Sequence, residues 1–261
     1  MRAFFAITKN TFREARREKL VLLAALAALM LVGAANYFLK LDFGHERLKF
    51  VFDFSNGALG FFGSIIAVVL SCKTFHSELE NRTIVTLLSK PVRAWQFVFG
   101  KMSGVGIMLG VFAAAIALAG AATLFYTQST LPRNVAASAD LPNYAGFFAF
   151  CALQWAKLCT IAAVSVFVCS LSNSMMFSTV VSFMFLAASL MASATMWLGV
   201  ETAASRIFAS LLPDLRMFSA AEAFAFGKVD WIVFAILAAY ALVYCALCGA
   251  LAAWIFGRRE F

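Results

Sequence analysis

The sequence is poor in charge, since Asp, Glu, Lys and Arg together make up 13% of its 261 residues. A soluble domain carries about 25% charged residues, which cover its surface with polar groups. Proline is also rare, with four residues, so few positions interrupt a helix. In place of charge the chain has 63% hydrophobic residues, including 29 Phe. This composition excludes a soluble globular protein and predicts an all-α, polytopic membrane protein.

Motifs for catalysis and cofactor binding are missing as well. Neither Gly-Lys pair, at 100–101 and 227–228, is followed by the Ser or Thr that completes a phosphate-binding P-loop. The two histidines, His45 and His76, are predicted to lie in loops on opposite sides of a membrane, too far apart to share a metal ion. We therefore expect no catalytic residue, metal or cofactor in this chain. The lysines and arginines form no aromatic-interleaved patch, so we expect no nucleic-acid partner.

Six apolar windows each have about the 20 residues that a helix needs to cross a ~30 Å hydrocarbon core. They cover residues 20–39, 56–75, 101–126, 147–170, 176–198 and 231–256. We expect six transmembrane helices in a single permease-like domain, residues 1–261. Gly100/Gly104 and Gly106/Gly110 mark close helix contacts, either within one subunit or between two.

The positive charges predict the orientation of these spans. With the N-terminus inside, 13 Lys and Arg fall on the cytoplasmic side and 7 outside, while Lys157 lies within a span. The positive-inside rule then places both termini in the cytoplasm, in a multi-pass protein of the bacterial plasma membrane. The net charge of +8 also favours contact with anionic membrane lipids.

Residues 1–19 have the pattern of an amphipathic helix. On a helical wheel the Phe residues share one arc with Ile7 and Thr11, and the opposite face is basic. Such a helix lies in the membrane interface with its Phe side down. It is either a topology anchor or a connecting helix that also touches a cytoplasmic partner.

Residues 76–90 form a charged stretch between the second and third windows. Ile84, Leu87 and Leu88 recur at the i, i+3, i+4 spacing of one helix face, behind acidic residues that the helix dipole favours. The stretch therefore predicts a short cytoplasmic helix, ended by Pro91. A solvated loop is the alternative, but a loop does not require an apolar face.

Several motifs follow one another in a familiar order. Residues 75–93 read F-x-x-E-x-E-x-R-T-x-x-x-L-L-S-K-P-V-R, and G-K-x-x-G follows at 100–104. L-P-D-L-R-M-F occupies 212–218, before the last window and a characteristic ending at 240–261. Together they resemble type-2 ABC exporter permeases, especially those of multicopper-enzyme maturation and gliding-motility systems. One departure is Ala94, where the family commonly has a basic or small polar residue.

The resemblance implies the transmembrane subunit of an ATP-binding cassette exporter. Such a subunit works as a dimer, here expected to be a homodimer, with two copies of a cytoplasmic ABC ATPase that binds the ATP. In that family the segment between spans two and three contains the coupling helix. Carried over, the residues that face the ATPase would be Glu78, Glu80, Arg82, Thr83, Ile84, Leu87 and Leu88. The turn with Ser172 and Asn173 would make a second, smaller contact.

Two further features have open interpretations. Lys157 lies inside the fourth window, where it either extends toward the interface or a helix carbonyl, or contacts an anionic group of the substrate. Residues 199–230 form the longest outer loop, which is predicted to contain a helical or re-entrant element at the outer leaflet, with a plain loop as the alternative. The six cysteines have no acidic or histidine neighbours and are interpreted as core residues.

Three classes of function remain open. An ABC exporter permease explains the charged stretch, the missing P-loop and the family motifs. A membrane scaffold that transports nothing is the alternative, and a membrane-embedded enzyme is disfavoured because paired acid–base residues are missing. Co-purification with an ATPase distinguishes the first class from the other two. The sequence leaves the transported substrate open.

Overall fold

The computed structural model describes residues 2–38, 47–80, 93–130, 141–197 and 212–258. Helices make up most of these residues, and none of them lies in a strand. The α-helices are α1 (Arg2–Arg17), α2 (Lys19–Phe38), α3 (Arg47–Glu80), α4 (Ala94–Thr130), α5 (Tyr144–Leu171), α6 (Met175–Trp197) and α7 (Trp231–Gly257). A 3₁₀ helix (Leu215–Ala225) precedes α7.

Four of these helices are long and apolar enough to cross a membrane: Arg47–Glu78, Ala94–Thr130, Tyr144–Leu171 and Trp231–Gly257. A fifth span results if the pair Phe4–Arg17 and Lys19–Ala35, bent by 63°, counts as one. The predicted span 176–198 coincides with α6, of which Met175–Met191 qualifies as a shorter apolar helix. The chain is therefore a multi-pass helical protein, and the prediction of six crossings stays a prediction.

The second predicted span is part of a longer helix. α3 begins at Arg47 and so includes nine residues before the predicted span. Leu48, Val51, Phe52 and Ser55 are buried at helical spacing in this part, although charged neighbours lower its hydropathy. At its other end α3 continues to Glu80. Residues 76–80 of the predicted helix at 76–90 are thus the last residues of α3, and residues 81–92 lie outside the described part. The cytoplasmic coupling helix stays a prediction. His76 is likewise a helix residue and not a loop residue.

α5 occupies the middle of the bundle, where it packs against α3, α4, α6, α7 and the 3₁₀ helix. The core has two clusters. At the end of the bundle that carries α1, which we call the α1 end, the rings of Phe75, Phe97 and Phe256 join α3, α4 and α7, with centroids 5.1 to 5.8 Å apart. At the opposite end, Phe52 contacts Phe150 of α5 at 5.2 Å.

The 3₁₀ helix lies within the predicted loop 199–230, of which residues 212–230 are described. The backbone N–H of Asn143 donates to Ala225 O at 2.7 Å, and the Asn143 side chain donates to Gly227 O at 3.0 Å. Phe224 O touches Gly146 so closely that no side chain fits there. These contacts dock the 3₁₀ helix on the first turn of α5, as expected for a helical element in this loop.

α1 packs on protein along its apolar arc. Ile7 meets Gly100 and Thr11 meets Gly104 of α4, while Phe5 remains 67% exposed. Because glycine has no Cβ, the two helices approach closely along this line. Ile7 and Thr11 of this arc therefore face α4, and the predicted position of α1 in the membrane interface stays a prediction. The basic residues Lys9, Arg13, Arg16 and Arg17 are exposed, as expected.

We predict that Gly104→Ala displaces α1. A Cβ at this position would lie 2.6 Å from Thr11 Cβ, so the helix has to move, at a cost of about 1–3 kcal/mol. The expected result is a lower melting temperature in detergent and faster trypsin cleavage at the arginines of α1. Gly60→Ala is the matched control, because no atom lies within 4 Å of its added Cβ. Equal stability of the two variants would contradict the packing.

Candidate functional site

The α1 end contains a buried lysine, Lys101, which lies on α4 one helical turn after Phe97. Its side chain is 0% exposed, and Nζ lies 2.7 Å from Glu78 Oε1 and 3.6 Å from Glu14 Oε2. The Glu78 contact is a close ion pair, not a well-aligned hydrogen bond. A buried ammonium group loses its hydration, and a carboxylate within 4 Å offsets part of that loss. The pairing therefore fixes three helices, α1, α3 and α4, at one point.

Polar contacts continue along the line where α1 meets α3. Ser77 Oγ donates to Glu14 Oε1 at 2.7 Å, and Lys73 Nζ donates to both Glu18 oxygens at 2.6 Å. Glu14 lies on the last turn of α1 and Glu18 lies between α1 and α2, four residues later, while Lys73 and Ser77 are four residues apart on α3. The later acidic residue contacts the earlier residue of α3, so the end of α1 and the chain just after it run antiparallel to α3 here. We call Glu14, Glu18, Lys73, Ser77, Glu78 and Lys101 the ion cluster.

The two ion pairs differ in their exposure to solvent. The Lys73 side chain is 43% exposed, so solvent screens its pairing with Glu18. The Glu78 side chain is 14% exposed and its partner Lys101 is fully buried. The Lys101 pairing is thus the one whose loss leaves a charge without hydration.

A histidine joins α3 to a second segment. His76 is fully buried, with Nδ1 3.0 Å from Cys72 O and Nε2 3.3 Å from Ser172 O. Ser172 caps the C-terminal end of α5 and begins the turn 172–174 that leads to α6. The ring therefore spans the gap between the end of α3 and this turn.

The structure describes only part of the predicted coupling surface. Glu78 and Glu80 lie on the last turn of α3, whereas Arg82, Thr83, Ile84, Leu87 and Leu88 lie outside the described residues. Glu78 forms an ion pair with Lys101. Ser172 and Asn173 form the predicted turn, and Ser172 is brought to the end of α3 by His76. That these residues face an ATPase stays a prediction.

Lys157 lies on α5 and is half-buried, and its charge interacts with Glu222 of the 3₁₀ helix. Asn56 Nδ2 donates to Glu222 Oε1 at 3.3 Å. Burial, and secondarily the charge of Asp53, raise the pKa of Glu222 above the usual glutamate value, although Asn56, Lys157 and Lys49 act in the opposite direction. A carboxylate partner for Lys157 was not among the sequence interpretations.

The sequence reasoning missed Glu14, Lys101 and His76 as site residues. The i, i+4 spacing of Glu14 and Glu18, two acids at the end of a basic segment, was a usable signal. Lys101 was noted in the G-K-x-x-G motif and as a positive charge at the start of the third window, but not as a buried residue. The burial of the Lys101 side chain depends on the neighbouring helices, and no pattern in the sequence indicates it.

No three acidic, histidine or cysteine side chains converge as metal ligands among the described residues. The six cysteines are free thiols, all buried or half-buried. The arrangement at the α1 end consists of ion pairs and hydrogen bonds between helices.

The fold and this site define the class of the protein: a multi-pass, helical membrane protein with a buried ion cluster at one end of the bundle. The family model of the ABC-2 family transporter protein matches residues 5–261. The chain therefore belongs to the ABC-2 transporter family and is the membrane subunit of an ABC transporter. Membership implies an ABC ATPase as partner. The sequence matches no curated protein.

We predict that Lys101→Met destabilises the α1 end. The substitution removes the buried ammonium group that pairs with the carboxylates of Glu14 and Glu78, at a cost of about 3 kcal/mol or more. Denaturation in detergent measures the loss, and Lys101→Met/Glu78→Gln should recover part of it because only the Glu14 carboxylate then lacks the Lys101 ammonium. Lys73→Met is the control, with an expected cost of about 1 kcal/mol or less for a half-exposed pair. Equal losses for Lys73→Met and Lys101→Met would show that burial does not govern the cluster.

We predict a pH effect at Glu222. Its pKa is raised in the folded protein, so the folded state holds this proton more tightly and stability falls as pH rises above about 4.3, the ordinary glutamate value. Glu222→Gln should then melt at or above the wild-type temperature at neutral pH, and the difference should vanish below pH ~4. Lys157→Met, which removes a charge that lowers this pKa, should steepen the decline. A pH-independent loss in Glu222→Gln would contradict this assignment.

Proposed function

We propose that this chain is the membrane subunit of an ABC exporter, moving its substrate with ATP hydrolysed by a separate cytoplasmic subunit. The observation that carries the proposal is the ion cluster with buried Lys101, because it makes the end of α3 a stiff base for the segment that follows. Family membership and the missing P-loop also support the assignment of ATP hydrolysis to a separate subunit. The chain itself is proposed to have no enzymatic activity.

Coupling is proposed to occur at residues 78–88. Closure of two ATPase subunits moves membrane helices only if force passes through a rigid element. The last turn of α3 is held by an ion pair to α4, a hydrogen bond to α1 and the contact of Phe75 with Phe256. Motion at residues 81–92 would therefore reach α1, α3 and α4 together. The turn with Ser172 and Asn173 is proposed as the second contact.

The assembly is proposed to contain two copies of this chain and two ATPases in a bacterial plasma membrane. Both termini are proposed to be cytoplasmic. The positive-inside distribution of charge supports this orientation, since α1 exposes Lys9, Arg13, Arg16 and Arg17.

We predict that Leu87→Ser/Leu88→Ser separates the chain from its ATPase or uncouples hydrolysis from the membrane subunit. Apolar anchors carry most of the energy of an interface, about 1–2 kcal/mol or more for each truncated hot spot. The chain is co-expressed with a candidate ABC ATPase from the same genome, and the recovered ATPase and its hydrolysis are measured. The purified chain alone, which lacks a P-loop, is expected to hydrolyse no ATP above background.

Val85→Ser is the matched control, because Val85 is an apolar residue of the same stretch that lies off the predicted Ile84/Leu87/Leu88 face. Its complex should remain intact. Membrane insertion of each variant is checked by labelling a cysteine at Asn81, which should be accessible from the cytoplasmic side. A double variant that keeps the full complex, or an Asn81 label that reacts from outside, would overturn the proposal.

A further inference from the structure

His76 occupies a position that connects two elements far apart in sequence. Its ring lies between the carbonyl of Cys72, one turn earlier on α3, and the carbonyl of Ser172. The contact with Cys72 is local to α3, so the contact at 3.3 Å with Ser172 is the one that reaches another element. Both oxygens are acceptors, and a neutral imidazole has a single N–H that can donate to only one of them, whereas an imidazolium can donate to both. The contact that joins α3 to the turn is the one in which Nε2–H donates to Ser172 O.

The Ser172 carbonyl belongs to a helix end that needs a donor. The last carbonyls of a helix have no partner within it and are satisfied by side chains, water or the following turn. Ser172 Oγ accepts from the N–H of Ser174, and Ser174 O accepts from the N–H of Ser178 on α6. The turn 172–174 is thus short and internally bonded. A donor from His76 fixes it against α3 as a unit.

α6, which follows this turn, has few neighbours of its own. It packs on α5 and α3, with a minor contact to the 3₁₀ helix, and Ser178 and Ser182 lie on its buried side. Its other side carries exposed Met176, Phe177 and Val180. A helix that packs on protein along one side only can shift relative to α3. A hydrogen bond at the turn before α6 therefore limits this shift, whereas the same bond between tightly packed core helices would change little.

We propose that His76 is a positioning residue that joins the turn 172–174 to the end of α3, so that both elements move together. The ion cluster already joins α3 to α1 and α4 within two turns of His76. With the histidine contact, α1, α3, α4 and the α5–α6 turn form one mechanical unit. This proposal rests on the proposed function, in which the segment after α3 and this turn both contact the ATPase.

Two substitutions separate the contacts of the ring. The amide nitrogen of Gln reaches about as far as Nε2, and that of Asn about as far as Nδ1. His76→Gln therefore keeps a donor for Ser172, while His76→Asn keeps only the local contact within α3. The two variants differ by one methylene and have the same functional group, so each is the control for the other.

The test measures the distance between α1 and the start of α6. Spin labels are attached at Arg16→Cys and Met176→Cys, both exposed positions, in a variant whose six native cysteines are replaced by Ala. The chain is reconstituted in nanodiscs without an ATPase, and double electron–electron resonance gives the distance distribution. The chain with native His76 and the Gln variant should give one narrow distribution, and the Asn variant one about twofold wider.

A second measurement uses the complex with the co-expressed ATPase, with and without ATP and vanadate. The label separation should stay constant in the His76 and Gln forms and should change with nucleotide in the Asn form. If the Asn distribution is as narrow as that of Gln, the proposal is overturned whether or not an ATPase binds. If no ATPase binds the wild-type chain, the proposed function fails, and the nanodisc measurement still decides the role of His76. His76→Leu, which removes both contacts and should also widen the distribution, replaces the Asn variant if that variant does not fold.

Discussion

The buried ammonium group of Lys101 is the constraint on which the α1 end depends. An ion inside a helix bundle needs a counter-charge at a fixed position, because little water remains there to solvate it. Glu78 and Glu14 come from two different helices, so satisfying one lysine sets the register of α1 and α3 against α4. The Ser77–Glu14 and Lys73–Glu18 contacts then repeat that register one turn apart.

Close packing makes this electrostatic arrangement possible. Gly100 and Gly104 let the backbone of α1 approach α4, which brings Glu14 within reach of Lys101. The Phe75, Phe97 and Phe256 rings close the other side of the same region and exclude solvent. The ion pairs make the contact specific. The glycines allow the short distance between the charges, and the rings exclude water, which strengthens the attraction.

The two ends of the bundle are held by different kinds of interaction. At the α1 end, side-chain ion pairs and His76 connect the helices. At the opposite end, backbone groups of the 3₁₀ helix bond to Asn143, and the Asp214 N–H donates to Tyr240 Oη at 2.8 Å. A force applied at the α1 end would thus act on helices that are connected to one another there. At the opposite end, the 3₁₀ helix and its flanking residues are bonded mainly to α5 and α7.

The sequence by itself determined the helical class, the approximate positions of the apolar segments and the absence of a P-loop motif in its residues, because hydropathy and motif spacing are local properties. It also predicted that residues near 78–88 and 172–173 matter, through motifs and turn position. Only the tertiary structure decided that α3 is continuous to Glu80, that the apolar arc of α1 faces α4, and that Lys101, His76 and Glu222 have partners on other helices. These features depend on which surfaces meet, and the burial of a charge is a property of its neighbours, which no local pattern around Lys101 contains.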